Sequence, residues 1–363
     1  MSEQLTAPAV STGARARVLP QVEAVAIPLI ALLLALGLFA LFLAAVGANP
    51  AAVFYSLYRG GFGSWYSWQN TLVFSAPLML TALCTALPAR VGLVVIGGEG
   101  ALVMGGLVAA MAGLTISTAP PFIVITMMCV AGLLAGGLWI GAVGALSYYR
   151  GVNETISSLL LNYVAIAVLN FLVVGPLRDP ESLNHPATHH IGAANMLGNI
   201  GSTSIHWGLA FGVAACVLMW LLMRRTAFGF AVDITGGNRR AAQLAGLPVG
   251  RLILLCSFLG GAAAGLACVL EVVCVQGRAN SSLNAGYGYE GILIAFIARQ
   301  NPLAIIPAAI LFGGIRAASG IMQRDHNLPD ATSLVMQGII FVLILASEAW
   351  YGKLLRVRVK EMA

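Results

Sequence analysis

Four acidic side chains fall inside long apolar stretches of this 363-residue chain, Glu99, Glu271, Glu290 and Glu348, and Arg316 is the one base placed in the same way. A charge near the centre of a bilayer costs about 2.5–3.5 kcal/mol on insertion scales, so each of these side chains needs a compensating partner or a task. Glu99 sits about eight residues, or roughly 12 Å, into its stretch. Gly97, Gly98 and Gly100 flank it and leave the local backbone free to unwind. Two uses stand for it: lining a pathway or bracing a broken helix, and an internal ion pair with no transport role. Glu271 lies toward the outer end of its stretch, where structural hydrogen bonding and substrate contact are both open. Glu348 lies one turn from a basic tail and is expected to snorkel to the interface. Asn162 and Asn170 are eight apart and near one helical face, which suits helix–helix hydrogen bonding or a place beside the pathway.

The surroundings of Glu99 recur. Gly98-Glu99-Gly100-Ala101-Leu102-Val103 is matched by Tyr289-Glu290-Gly291-Ile292-Leu293-Ile294 behind Gly288, each a Glu-Gly-x-Leu-aliphatic run in a glycine-interrupted segment. Breaks at corresponding positions of two halves mark a transport site near the membrane midplane, although a chain with 42 glycines also produces such matches by chance.

The elements that must carry these residues follow from composition. Hydrophobic residues make up 59% and charged residues 9%, against about 25% charged in soluble domains, which excludes a soluble enzyme. The apolar blocks run for about 20 residues without alternation, the length of a membrane-crossing helix rather than a barrel strand. The expected fold is therefore an all-α polytopic membrane protein. About ten spans lie near residues 25–46, 70–89, 91–116, 121–147, 155–176, 206–223, 252–275, 287–298, 302–321 and 333–351. The third is expected to be broken. The eighth, 12 residues and about 18 Å long, is expected to be a short crossing packed against protein. Five spans per half is an odd number, so two similar halves would be inverted relative to each other.

Charge placement orients the array. With the N-terminus inside, 14 basic residues face the cytoplasm and Arg59, Arg178, Arg278 and Arg324 face out. By the positive-inside rule both termini are cytoplasmic, and the net charge of +6 calls for no nucleic-acid partner. The first apolar run, 22 residues long, exceeds a signal-peptide core and is read as an uncleaved span. This divides the chain into a tail of residues 1–24, a membrane domain of residues 25–351 and a basic tail of residues 352–363.

Other chemistry is sparse. The six cysteines lie in apolar blocks without CxxC spacing, and His185, His189 and His190 in the external loop 177–205 show no convergent ligand shell, so no metal site is expected. Neither Lys353 nor Lys360 belongs to a phosphate-binding loop, so any ATP is hydrolysed by another chain. The long cytoplasmic loop 224–251 offers more. Gly237 and Asn238 can start a two-turn helix over Arg239 to Ala245, and Gly246-Leu247-Pro248 can stop it. So short a helix needs a docking surface, which the small Ala241, Ala242, Ala245 and Gly246 would allow another protein to provide. Arg239 and Arg240 oppose the helix dipole and suggest lipid phosphates or acidic partner groups nearby.

Taken in order, these pieces resemble the permease subunits of bacterial ABC importers, in the branch serving nucleosides, ribose and related sugars. The resemblance runs from about residue 70 to 348. Val91-Gly92-Leu93 through Ile96-Gly97-Gly98-Glu99-Gly100 is similar to the family's NIGxEGQ break. Gly151-Val152-Asn153-Glu154 with Leu161-Asn162-Tyr163 is similar to its GVNExxxxLxLNY stretch. Thr226 to Gly246 resembles its coupling loop, and Gly286 to Gly313 its GxGxxxIxxALxGxxxPxGxxxxAxLFG segment. The sequence departs from the pattern at Val95 and Ala101, where the family has Asn and Gln, and at Glu290, where a small polar residue or Asp is usual.

The resemblance implies a non-enzymatic transport subunit in the inner membrane with no cofactor of its own, ATP and Mg being bound by a partner ATPase docked on the 236–248 loop. It also implies a second permease, often a different chain, and a periplasmic or lipid-anchored binding protein. The expected substrate is a nucleoside, with simple sugars as the alternative, moved by alternating access along Gly97, Gly98, Glu99, Gly100, Asn162, Glu271 and Glu290. A rival from another class is a secondary transporter in which Glu99 and Glu290 carry protons.

Overall fold

The computed structural model describes residues 15–182 and 185–348, with side chains from residue 30 to 347. Among them it has 13 α-helices, and pairing of extended chain is confined to isolated bridges. The helices are α1 (Arg15–Ala45), α2 (Pro50–Gly61), α3 (Trp65–Ala89), α4 (Gly98–Thr115), α5 (Pro121–Arg150), α6 (Glu154–Val174), α7 (Gly208–Arg225), α8 (Ala227–Gly237), α9 (Arg239–Leu244), α10 (Val249–Glu271), α11 (Tyr287–Ile297), α12 (Pro302–His326) and α13 (Ala331–Glu348). All ten expected spans coincide with helices. Seven of these, α3 to α7, α10 and α12, are long and apolar enough to cross a membrane, and an eighth span results if α1 and α2 are taken as one broken crossing.

The described residues form two compact units, one of residues 15–50 and 334–348, the other within Ala51–Ser333. In the first, α1 begins at Arg15, inside the stretch expected to be a tail. On α1 Ala31, Ala35, Phe39 and Leu43 are buried at every fourth position while Ile30, Leu33, Leu34, Leu38 and Leu41 are exposed, the pattern of a helix with one packed stripe and a lipid-facing remainder. The basic tail of residues 352–363 and the Glu348 side chain lie outside the described residues.

In the second unit, side-chain caps set the helix starts. Ser64, Asn153, Thr226, Asn238 and Asn301 each accept a backbone N–H from the first turn of α3, α6, α8, α9 and α12. Gly151, at φ 65°, lets α5 stop. The core is built on close backbone approach. Gly132 and Gly136 on α5 face Gly261 and Gly265 on α10, and Gly105 on α4 meets Gly265, all so near that an added Cβ would overlap the opposing backbone or side chains. Small residues four apart are how membrane helices pack without a hydrophobic drive between them.

Contacts sort the loops to two ends. At one end Arg90 donates to Gln300 O (3.4 Å) and pairs with Asp233 (3.3 Å), Arg239 donates to Val91 O and Gly92 O, and Val94 N–H donates to Glu154. The opposite end holds the 175–207 segment, tied by Thr188 N–H to Ala279 O (2.9 Å), Ile191 N–H to Gly277 O (2.9 Å) and Ser204 N–H to Gln69 (2.8 Å). Arg90 and Arg239, both counted on the expected cytoplasmic side, thus share one end of this unit.

Candidate functional site

Two helices begin between these ends rather than at them. Residues 91–97 enter without helical structure, so the third span is broken as expected and Glu99 falls in the first turn of α4 rather than deep in a continuous helix. Similarly, α10 ends in a π-helical turn over Val272–Gln276, the chain turns back through residues 277–286, and α11 then runs only 11 residues to the arginine-rich end. At about 16 Å, α11 is too short to span. It packs on α3, α12 and α4, as the reading of a protein-packed short crossing required. Since α4 leads away from the arginine-rich end and α11 toward it, the two broken segments run in opposite directions.

The two N-termini meet. Gly286 N–H and Gly288 N–H donate to the two oxygens of Glu99 at 2.7 and 2.6 Å, so Glu99, fully buried, caps the other half-helix. Gly288 must be glycine: a Cβ there would overlap the Glu99 backbone nitrogen. Asn162, also fully buried, accepts from Gly100 N–H and donates to Tyr289 Oη at 2.8 Å, joining α6, α4 and α11. Ser158 Oγ accepts from Ile96 N–H at 3.1 Å. Each helix carries the positive end of its dipole into this junction, and a carboxylate there is stabilised by both.

A second layer holds the start of α11 from behind. Arg316 on α12 pairs with Glu290 at 2.6 Å, donates to Ala285 O at 2.8 Å and lies 4.3 Å from the Tyr287 ring centroid. Sequence reasoning noted Arg316 as buried but assigned it no partner, and it missed Tyr287 and Tyr289. The 26-residue gap from Glu290 to Arg316 carries no local signal, because the pair forms across two helices.

Of the expected pathway residues, Gly97, Gly98, Glu99, Gly100, Asn162 and Glu290 come together. Glu271 stands apart at the partly exposed end of α10, hydrogen-bonded to Gln276 and linked to the junction through electrostatic attraction to Arg316. Asn170 does not share the buried face of Asn162 but is exposed, since eight residues advance a helix by about 80° beyond two turns.

At the arginine-rich end, Asn238 Oδ1 accepts from Ala241 N–H (3.0 Å), starting α9, and Gly246 at φ 79° ends the turn. Two expectations need correction. Ala242 is fully buried, so the surface of α9 consists of Arg239, Arg240, Ala241, Gln243 and Leu244, with Leu244 85% exposed. Arg239 is spent within the chain, on Val91 O and Gly92 O, where it offsets exposed carbonyls of the broken entry to α4.

Glycine-broken half-helices meeting between the ends of a helical bundle describe a transport protein, and the sequence comparison decides which kind. The family model described as branched-chain amino acid transport system, permease component, matches residues 67–345. The chain belongs to this permease family. Along most of its length the permease is similar to three characterised relatives. It is 28% identical to the glucose ABC transporter permease of Haloferax volcanii, covering 92% of this chain and 90% of that one. It is 28% identical to the guanosine ABC transporter permease of Bacillus subtilis, covering 89% and 93%. To the nucleoside ABC transporter permease of Lactococcus lactis it is 27% identical, covering 88% and 90%. The permease is thus a multi-pass membrane protein, and both broken segments lie inside the matched region.

Proposed function

We propose that this chain is the membrane-spanning permease subunit of an ATP-driven importer for nucleosides, working with a separate ATPase, a second permease chain and a substrate-binding protein. The observation that carries this reading is the junction of α4 and α11, two half-helix N-termini held by Glu99 and Asn162, inside a chain whose full-length relatives are named for guanosine and nucleosides. A sugar is the second reading, favoured by the relative named for glucose, whose match covers 92% of this chain. The positive-inside count supports a cytoplasmic position for both termini and for the α8–α9 turn. There the exposed face of α9 offers the ATPase its contact, with Gly237, Asn238 and Gly246 shaping the turn and Arg239 anchoring it to the entry of α4.

Glu99 and Glu290 are cast as structural charges. Glu99 accepts two backbone N–H groups and Glu290 is paired with Arg316, so both carboxylates are engaged in holding α11 rather than standing free in a pathway. Alternating access then consists of movement at the α4–α11 junction, driven from the α8–α9 turn.

The test is uptake in cells expressing the complete transporter, with labelled guanosine and labelled glucose, under ATP depletion and, separately, under collapse of the proton gradient. The reading expects nucleoside uptake that stops with ATP depletion and survives the protonophore. Uptake lost with the proton gradient while ATP is intact would overturn the ATP-driven reading, and preference for glucose would move the assignment to the sugar alternative.

A further inference from the structure

A cavity of about 340 Å³ opens at the arginine-rich end where α7, α8, the end of α3 and the start of α12 meet. Its size falls in the range of small-ligand sites. Arg90, Arg224, Trp220, Phe230, Asp233 and Asn301 line it. The Asp233 carboxylate is matched by Arg90 at 3.3 Å, so these two charges cancel. Arg224 then leaves the cavity net positive, and its neighbour Arg225 lies 5.9 Å from the centroid of the Trp220 ring that lines it. The N-terminus of the 25-residue α12 opens onto the same space behind Asn301. The uncancelled Arg224 and the helix N-terminus favour a phosphate-bearing anion.

The surroundings identify the source of that anion. Trp220 and the arginines at the end of α7 form the aromatic and basic anchor expected at headgroup level. Below them Phe211, Val217, Leu218 and Leu221 are exposed along α7 and lead up to the cavity mouth, a track suited to acyl chains and of no use to a free phosphate ion. We propose that this cavity binds the headgroup of an anionic phospholipid, with Arg224 as its principal contact and the acyl chains lying along α7. A headgroup seated here touches α8, the helix that leads into the α9 turn, and joins it to the ends of α3 and α12.

The proposal takes only the identity of the leaflet from the orientation given above. Lipid retention can be read without ATP or substrate, so its failure would leave the transport reading standing. The complete transporter, reconstituted in phosphatidylcholine with and without phosphatidylglycerol, is released into detergent and bound lipid is counted by native mass spectrometry. Wild type should retain phosphatidylglycerol in preference to phosphatidylcholine. Arg224→Gln should weaken retention about fivefold, the effect of one basic contact at a membrane surface. Arg224→Lys, a check that the fold survives, and Arg150→Gln, which removes equal charge from the same end outside the cavity, should each stay within about twofold. Equal losses in Arg224→Gln and Arg150→Gln would reduce the effect to diffuse surface attraction and overturn the site. Displacement of the lipid by millimolar inorganic phosphate would replace the lipid with a free anion. Unchanged lipid retention in Arg224→Gln with loss of the co-purifying ATPase would make the cavity a protein contact.

Discussion

Glu99 holds two backbone N–H groups of another helix in a fully buried setting, so its charge and its shape are separable by substitution. Glu99→Gln keeps the shape but turns an amide NH₂ toward a backbone donor, and loss of a charge-assisted bond should cost about 2 kcal/mol. Thermal unfolding of the purified transporter should show that loss, and an unchanged midpoint would mean that the α11 cap is dispensable. Arg316 tests a different balance. Arg316→Met leaves Glu290 buried without its partner and should destabilise by about 3 kcal/mol or more, whereas Glu290→Met with Arg316→Met should recover most of the loss, because a buried pair contributes little net stability once both charges are gone. At the opposite end His206 is buried, its Nδ1 accepting from Gly208 N–H at 3.1 Å, and burial holds its pKa below the ordinary histidine value. The unfolded chain takes up this proton at about pH 6.5 while the folded chain resists it, so the contribution is complete above that pH and is lost as pH falls below it. His206→Asn, which retains an acceptor, should flatten the acid side of a stability profile. A profile equal to wild type would remove His206 from the account.

At the scale of elements, the glycine contacts between α5 and α10 set how close two long helices lie. Gly136→Leu or Gly265→Leu drives a side chain into opposing backbone and should prevent recovery of a monodisperse complex, while Gly37→Leu, where an added Cβ meets open space, should be tolerated. Size-exclusion profiles distinguish these outcomes. The α9 turn separates docking from folding in a similar way. Ala241 is exposed and Ala242 buried. On the proposed coupling role, Ala241→Trp should release the ATPase with the permease still folded, and Ala242→Trp should lower the permease's own stability. Retention of the ATPase by Ala241→Trp would remove α9 from the coupling contact.

For the whole molecule, two half-helices running in opposite directions meet at their N-termini, so movement of either one must disturb the capping bonds of Glu99 and Asn162. The arginine-rich end gathers the loop that precedes α4 and the loop that follows α11 around α8 and α9, with Arg239 tying the turn to the α4 entry. A displacement of α9 therefore reaches the entry of α4 through the Arg239 side chain, beside the contacts of α8 with Arg90. Arg239→Ala should reduce transport more than ATPase association, read by comparing uptake with co-purification in the same membranes. Equal reduction of both would place Arg239 in the docking contact.

Much of this was legible in the residues themselves. Apolar length requires helices, because backbone groups in lipid have to pair within their own segment, and glycine marks where such a segment breaks. The Glu-Gly breaks, the cap at Asn238 and the placement of arginines between apolar blocks all follow from local rules. Pairing across helices does not. Nothing near Glu99 in the chain shows that its carboxylate serves Gly286 and Gly288, nor that Arg316 meets Glu290, nor that Ala242 turns inward while Ala241 turns out. Those outcomes depend on which helices pack together and in what rotation, a choice made by close glycine contacts and by the need to satisfy two buried N-termini at once.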